Sequence, residues 1–431
     1  MTNSQYKKYL LIILLMVLAF NYVDRIALGL VLQDIKVDLA LSDTQLGFLS
    51  GIGFALFYSV MGIPIARWAD RGNRVTIIGV TTALWSAAVM LCGMAGSLLQ
   101  LILIRIVVGV GEAGCVPPAN SLIADSFTRA ERPRAASVYM LGTTVGLVIG
   151  YLAGGWLNEL YGWRAMFIII GLPGLALSAL VGFSLREPRR IQSQAVAQSL
   201  AQPSLKDVCV TLWTSATFRH MLYASSLMSF FGYAIMQWTP AFFVRSFGVT
   251  SGALGTWFAL IYGVGGILGT YLGGEWVTHF AAHNERLQLK AMAIEIVIFA
   301  TLGAFPRLSS LAPNEYWAFG WLGLSAVAGA MIYGPMLAVI QTLMPPRMRA
   351  MSIAILTLFA NLIGVGLGPL AAGALSDALR PSLGEESLRY ALLAASPGYL
   401  WVSWHFWKAS RTAMSDIAGT QPDQDLRVMA V

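Results

Sequence analysis

The chain has 431 residues, of which 57% are hydrophobic and 11% charged, with a net charge of +7. A typical soluble domain is about 25% charged, so this composition argues against a water-soluble enzyme and for a polytopic membrane protein. The Lys and Arg residues are scattered through short loops between apolar spans, which fits a positive-inside membrane protein rather than a nucleic-acid-binding patch.

Twelve hydrophobic runs follow one another, at approximately 9–33, 45–66, 75–94, 98–123, 135–157, 164–185, 220–243, 253–277, 288–305, 317–343, 348–375 and 388–407. The first, Tyr9 to Gln33, has twenty-five residues, long enough to cross a bilayer, and Asp24 and Arg25 are its only charged residues. Each such charge costs ~2.5–3.5 kcal/mol at the helix centre, which makes it a functional candidate. Lys7 and Lys8 before an apolar run resemble a signal peptide, but no A-x-A-like cleavage site follows, so the run reads as a retained first helix.

The fourth run carries a second pair, Arg105 and Glu112, and then Pro117-Pro118, which bends a helix by removing backbone donors. The fifth carries Gly142, Gly146, Gly150, Gly154 and Gly155, a bare stripe that lets another helix approach closely. A polar stretch from Arg186 to Arg219 then separates six runs from six. It divides the chain into a bundle at 1–185, a cytoplasmic central loop at 186–219, a second bundle at 220–407 and a cytoplasmic tail at 408–431. In the seventh run Tyr233 and Gln237 are four apart and share a face. The ninth carries Glu295, which is expected to snorkel or pair near the inner surface. Tyr333 and Gln341 in the tenth and Asn361 in the eleventh are further polar candidates, each equally readable as a packing or helix–helix hydrogen bond.

With the N-terminus inside, inner loops and termini hold twenty of the twenty-eight Lys and Arg, and outer loops hold six: Lys36, Arg164, Arg245, Arg307, Arg380 and Arg389. That bias places both termini in the cytoplasm and makes the helix number even. The two halves resemble each other: Gly47–Asp70 and Gly255–Thr278 are offset by 208 residues, and Arg134–Ser137 and Arg349–Ser352 by 215. Parallel six-helix repeats around a central cavity are a transporter plan.

Depth follows from the helical rise. Asp24 lies fifteen residues, ~22 Å, from the inner end of its run, and Arg105 seven residues, ~10 Å, from the outer end of its own. Asp24, Arg25 and Arg105 therefore fall at similar depth. Glu112 lies ~10 Å further in, on the same face as Arg105 but too far for a simple ion pair with it. Burial and a neighbouring arginine act on a carboxyl group's proton affinity in opposite directions, so Asp24 and Glu112 are candidate proton-exchanging groups. The alternative is a static network that pins two helices together.

Cys92, Cys115 and Cys209 are far apart and form no CxxC, so no disulfide framework or zinc site is expected. His279 and His283 have i, i+4 spacing but no third ligand in view, and no P-loop or GxSxG pattern is present. The expected cofactor set is therefore empty, with no metal and with a proton gradient as the energy source.

The loop after the second run, Asp70-Arg71-Gly72-Asn73-Arg74, resembles the Gly-x-x-x-Asp-Arg-x-Gly-Arg-Arg motif of the major facilitator superfamily, with Ala66 at the first Gly. In the second half, Thr278 and His279 replace the Asp and Arg. Asn21-Tyr22-Val23-Asp24-Arg25, Gly109–Gly114, Ile123-Ala124-Asp125, Trp238–Phe243 and Asn361–Pro369 are similar to the bacterial relatives of the spinster family. The Asn-Tyr-x-Asp-Arg segment also resembles the organic anion–proton symporters of the superfamily.

The resemblance implies an all-α membrane protein of twelve transmembrane helices in two pseudo-symmetric six-helix bundles. It makes Asp24 and Glu112 the proton-coupling sites. It makes Arg25, Arg105, Tyr22, Asn21, Tyr233, Gln237, Tyr333 and Asn361 the substrate or coupling residues. Asp70, Arg71, Arg74 and Arg134 become a cytoplasmic gate, and the glycine stripe falls at the contact between the halves. The expected activity is proton-coupled movement of an organic, amphipathic, lipid-like substrate across a bacterial inner membrane by a monomer surrounded by membrane lipids, with no nucleic acid as partner and no enzymatic reaction. The alternatives are symport of small organic anions such as sugar acids and, from another class, a non-transporting membrane sensor.

Overall fold

The structure, a computed structural model, describes residues 3–128, 130–188, 205–282, 284–344 and 348–420. Among these residues the chain is helical and contains no strand. Ten apolar helical stretches are long enough to cross a bilayer.

The first half contains α1 (Asn3–Leu39), α2 (Asp43–Ser50), α3 (Ile52–Arg71), α4 (Arg74–Cys92), α5 (Leu98–Glu112), α6 (Val116–Ser126) and α7 (Arg132–Ser184). Ser42 caps α2 with a full capping box, which satisfies otherwise orphaned N–H groups of the first turn. The fourth hydrophobic run does not merely bend: α5 ends at Glu112, and α6 restarts with Pro117 and Pro118 in its first turn, where proline costs no hydrogen bond. α7 spans 53 residues but is broken at Gly162, whose φ of 78° is open to glycine and costly for other residues.

After α7 the stretch read as a polar loop contains a ten-residue helix, α8 (Leu205–Thr214). The rest comprises α9 (Ala216–Phe247), α10 (Ser251–Phe280), α11 (Glu285–Ala304), α12 (Glu315–Met331), α13 (Tyr333–Leu343), α14 (Arg349–Phe359), α15 (Gly368–Leu383), α16 (Ser387–Ala395) and α17 (Gly398–Thr420). Between α14 and α15 the backbone loosens into a π-helix, Ala360–Leu367, a local widening frequent at functional sites.

Two compact units emerge. One comprises Met1–Gln198, Met236–Gly263 and Pro369–Leu388, and the other Ser199–Ile235, Val264–Gly368 and Arg389–Val431. In the first, α1 packs along α7, α4 packs on α7 and α5, and α3 packs on α5. The glycine stripe makes the α1–α7 contact. A Cβ on Gly146 would come within 2.2 Å of the Ala19 carbonyl, and Gly142, Gly150 and Gly154 face Leu15, Val23 and Ala27 in the same way. Four of the five stripe glycines thus serve contact within the first half. Gly155 alone faces Ser251 and Gly255 of the second half. The reason is geometric: 155 follows 154 by 100° around the helix and faces another neighbour. In the second unit α11 packs on α17 and α12 around a core that includes Phe218, Met292, Tyr399 and Phe406.

Gly146→Leu is expected to abolish the monodisperse peak in size-exclusion chromatography, because backbone blocks the new side chain. Gly182→Ala, with nothing within 4 Å of its Cβ, is expected to leave the thermal midpoint unchanged or slightly raised.

Candidate functional site

The four charged groups of α1 and α5 are brought together as two crossed ion pairs. Arg105 Nη1 donates to Asp24 Oδ2 at 2.8 Å. Arg25 Nε donates to Glu112 Oε2 at 2.5 Å, and its Nη2 reaches Asn21 Oδ1 at 3.2 Å. Asp24, Arg105 and Glu112 are buried, while the Arg25 side chain keeps 21% exposure.

Axial arithmetic places Glu112 deeper than Arg25, yet the two meet. Side chains on a helix lean toward its N-terminus. On helices running in opposite directions Arg25 and Glu112 lean toward one another, and the arginine's length closes the rest. α1 and α5 approach each other chiefly through these side chains, because the close backbone packing of each is with other helices. Gly111 and Gly114 let the end of α5 and the following turn lie against Trp85 and Thr81 of α4. That packing fixes the position of Glu112.

The quartet is neutral as a set but not saturated. Asn21 Nδ2, Asp24 Oδ1, Arg105 Nε and Glu112 Oε1 are buried with no hydrogen-bond partner among the described residues. The unpartnered Asp24 Oδ1 and Glu112 Oε1 are both acceptors. A proton on either carboxyl group would turn one of these acceptors into a donor. Around Arg25 stand three aromatic rings: Tyr58 at 4.6 Å, Phe54 at 4.7 Å and Tyr22 at 5.3 Å, with Phe54 also 5.2 Å from Arg105. Phe54 and Tyr58 do not stand out in the sequence among many aromatics. Their signal is the four-residue spacing that stacks them on one face.

Gln237 lies against Gly29 of α1, its amide nitrogen 3.3 Å from where a Cβ would stand. Tyr233, Tyr333 and Asn361 belong to the second unit. Tyr333, at the start of α13, is 61% exposed, and Asn361 sits in the π-helical segment.

Of the loop residues, Arg74 is fully buried. Its guanidinium meets Glu187 and donates to Asp125 at 2.5 Å and to Ser121 Oγ at 2.9 Å. Arg71 and Arg134 are exposed, and the side chain of Asp70 lies outside the described residues. The sequence pointed to Asp125 only as part of a motif and did not single out Glu187. Nearby, Lys7 donates to Glu131 at 2.7 Å, and the Thr128 backbone and hydroxyl add to it. These bonds hold the Glu131 carboxyl down to about 2. His279 pairs with Glu275 at 3.2 Å, and His283 lies outside the described residues.

A second buried charge cluster lies at the other end of α1. Asp43, at the start of α2, receives Lys36 at 2.5 Å, both Arg245 terminal nitrogens at 2.7 and 2.8 Å, and Ser376 at 2.7 Å. Asp377 caps the same helix, accepting from Thr44 N at 2.7 Å and Thr44 Oγ1 at 2.6 Å. Beside them Trp238 donates to the Pro369 carbonyl at 2.8 Å, and Gly47 lets α2 touch that same carbonyl. Charge counting treated Lys36, Arg245 and Arg380 only as outer-loop markers. Lys36 and Arg245 prove to be parts of a buried network, invisible in sequence because bonded partners in it lie up to 334 residues apart.

Removing one partner of a buried pair strands the other, so Arg105→Met is expected to destabilise by about 3–5 kcal/mol. The double variant Asp24→Asn with Arg105→Met should recover more than half of that loss. Thermal unfolding of the purified single and double variants measures the coupling.

The Major Facilitator Superfamily profile matches residues 14–369. An MFS-type efflux pump of Mycolicibacterium smegmatis is 33% identical over 388 residues, covering 88% of this chain and 87% of the relative. Protein spinster homolog 1 of Xenopus tropicalis is 28% identical, over 89% of this chain and 77% of the relative. A crystal structure of a bacterial homolog of the human lysosomal transporter spinster, inward-facing and unoccupied, superposes with a TM-score of 0.83 at 28% identity, over 95% of this chain and 98% of that one. With the apolar spans, the glycine-mediated helix contacts and the intramembrane charge set already in place, these matches make the chain a multi-pass transporter, not an enzyme, and a spinster-like member of the major facilitator superfamily.

Proposed function

We propose that the chain is a proton-coupled secondary transporter that moves an amphipathic organic molecule by alternating access. The observation that carries this reading is the Asp24–Arg105 and Arg25–Glu112 crossing, in which two buried carboxyl groups each keep an acceptor oxygen without a donor. A proton on either carboxyl group makes the set net positive and favours an anionic or zwitterionic group at Arg25. Loss of the proton restores the closed crossed pairs. Arg25, being partly exposed and ringed by Tyr22, Phe54 and Tyr58, is the group in position to meet substrate. Guanidinium beside aromatic faces suits a molecule with one charged end and an apolar body.

The same reading takes the Asp43–Arg245–Lys36 cluster as the outer gate and the Arg74–Asp125–Glu187 cluster as a cytoplasmic anchor, each opening and closing with the cycle. It counts twelve crossings. The 53-residue α7 and the 68-residue stretch Met351–Ala418 are each too long for one passage of a ~30 Å core. Two crossings from each, added to eight single ones, return both termini to the cytoplasmic face of an inner membrane. The transporter relatives support an organic cargo, and the same proposal makes that cargo lipid-like and its carrier a monomer.

Reconstituted into liposomes, the wild-type chain should take up or extrude a lysophospholipid when a pH gradient is imposed. Asp24→Asn and Glu112→Gln should each reduce that flux by about a hundredfold, as expected for loss of a proton-transferring group, while keeping gradient-independent substrate exchange. Undiminished gradient-driven flux in both variants sinks the coupling reading. Competition by hexuronates but not by lysophospholipids sinks the amphipathic substrate.

A further inference from the structure

The second unit holds a carboxyl group that the transport reading does not use. Glu295 lies ten residues into α11, ~15 Å along a helix crossing a ~30 Å core. The residue is half-buried, and the partner that the sequence-based reading offered it is not found: its Oε1 is buried with no partner among the described residues.

One face and two turns away, Gln288 is 4% exposed, and its Nε2 donates to the Ala281 carbonyl at 2.8 Å. That bond fixes the amide and leaves Gln288 Oε1 as a second buried acceptor without a donor. Both residues line one cavity of about 310 Å³, walled by Trp276, Met292, Met331 and Pro335. Ile294 and Ile298 stand at its rim and are 58% and 50% exposed. In a membrane-spanning helix such a rim faces lipid. No basic side chain lines the cavity among the described residues.

We propose that this cavity binds a lipid-soluble organic cation carrying two N–H-bearing nitrogens, one at Glu295 and one at Gln288. The two residues are seven apart on the helix, ~10 Å of axial rise, whereas the hydrogen bonds of one nitrogen span about 2.9 Å each. A short diamine head bridges them. The ammonium neutralises the Glu295 carboxylate and lies within reach of the Trp276 ring, while the alkyl tail runs over Met292 and Met331 toward the bilayer. An aminophospholipid headgroup fits less well, because its phosphate would find no cation in the cavity.

The probe is N-dodecyl-1,3-diaminopropane, titrated by calorimetry into the full chain in phosphatidylcholine nanodiscs, with heat from empty nanodiscs subtracted. Glu295→Gln and Gln288→Leu should each raise Kd by about tenfold or more, the weight of one charge-assisted hydrogen bond. Dodecyltrimethylammonium, which has no N–H, and dodecanol, which has no charge, should bind at least as weakly. Trp276→Leu provides a further variant on a different helix, and size-exclusion profiles confirm that each variant is folded. Equal affinity of wild type and Glu295→Gln, or equal binding of dodecanol, would reduce the effect to partition into lipid and overturn the proposal. Tighter binding of phosphatidylethanolamine than of the diamine would also overturn it.

Discussion

Charge in a low-dielectric interior must be neutralised by a partner held at hydrogen-bond distance, and the crossed pairs between α1 and α5 are where this chain meets that constraint. Two acids and two arginines form a neutral set, so burial is tolerated. The set is not saturated, so it remains chemically responsive. Much of the first unit serves to hold those four side chains in register. The stripe from Gly142 to Gly154 fixes α1 along α7 to within backbone contact, and Gly111 and Gly114 press the end of α5 onto α4. A slip of one residue in either contact would turn Asp24 or Glu112 by 100° and separate the pairs.

The same physics recurs at both ends of the first unit with a different outcome. Asp43 takes Lys36, Arg245 and Ser376 together, and Arg74 takes Asp125, Glu187 and Ser121, so both clusters have their charges matched by several hydrogen bonds. Saturated clusters suit latches, which must be firm when closed. The unsaturated quartet between them suits a site that exchanges a proton. On the transport reading this division is the design of the unit: rigid charge at the ends, adjustable charge in the middle. The Glu295 cavity is a third case, a carboxyl group whose lining holds, among the described residues, one amide, Gln288, and no cation.

How much of this was legible in the sequence depends on the range of each interaction. Spans, the charged positions Asp24, Arg25, Arg105 and Glu112, and the glycine spacing are local patterns and could be read directly. Depth arithmetic brought Asp24 level with Arg105, which is the pair found, but it separated Arg25 from Glu112 because it ignored the lean of side chains toward helix N-termini. The glycine stripe was visible, but its partner was not: packing chose α1 for four of the five glycines and Gly255 for one. The break after Glu112 was foreshadowed by Pro117 and Pro118, though as a bend rather than as the end of one helix and the start of another.

Composition and periodicity by themselves determined that this protein is a chain of apolar helices bearing intramembrane charge, because hydrophobic length and charge position are properties of contiguous residues. Tertiary structure alone decided which acid meets which arginine, that Asp43 gathers Lys36, Arg245 and Ser376, and that Gln288 and Glu295 open onto one cavity. Those facts depend on which helix faces are buried against which neighbours, and close packing over hundreds of residues sets that choice.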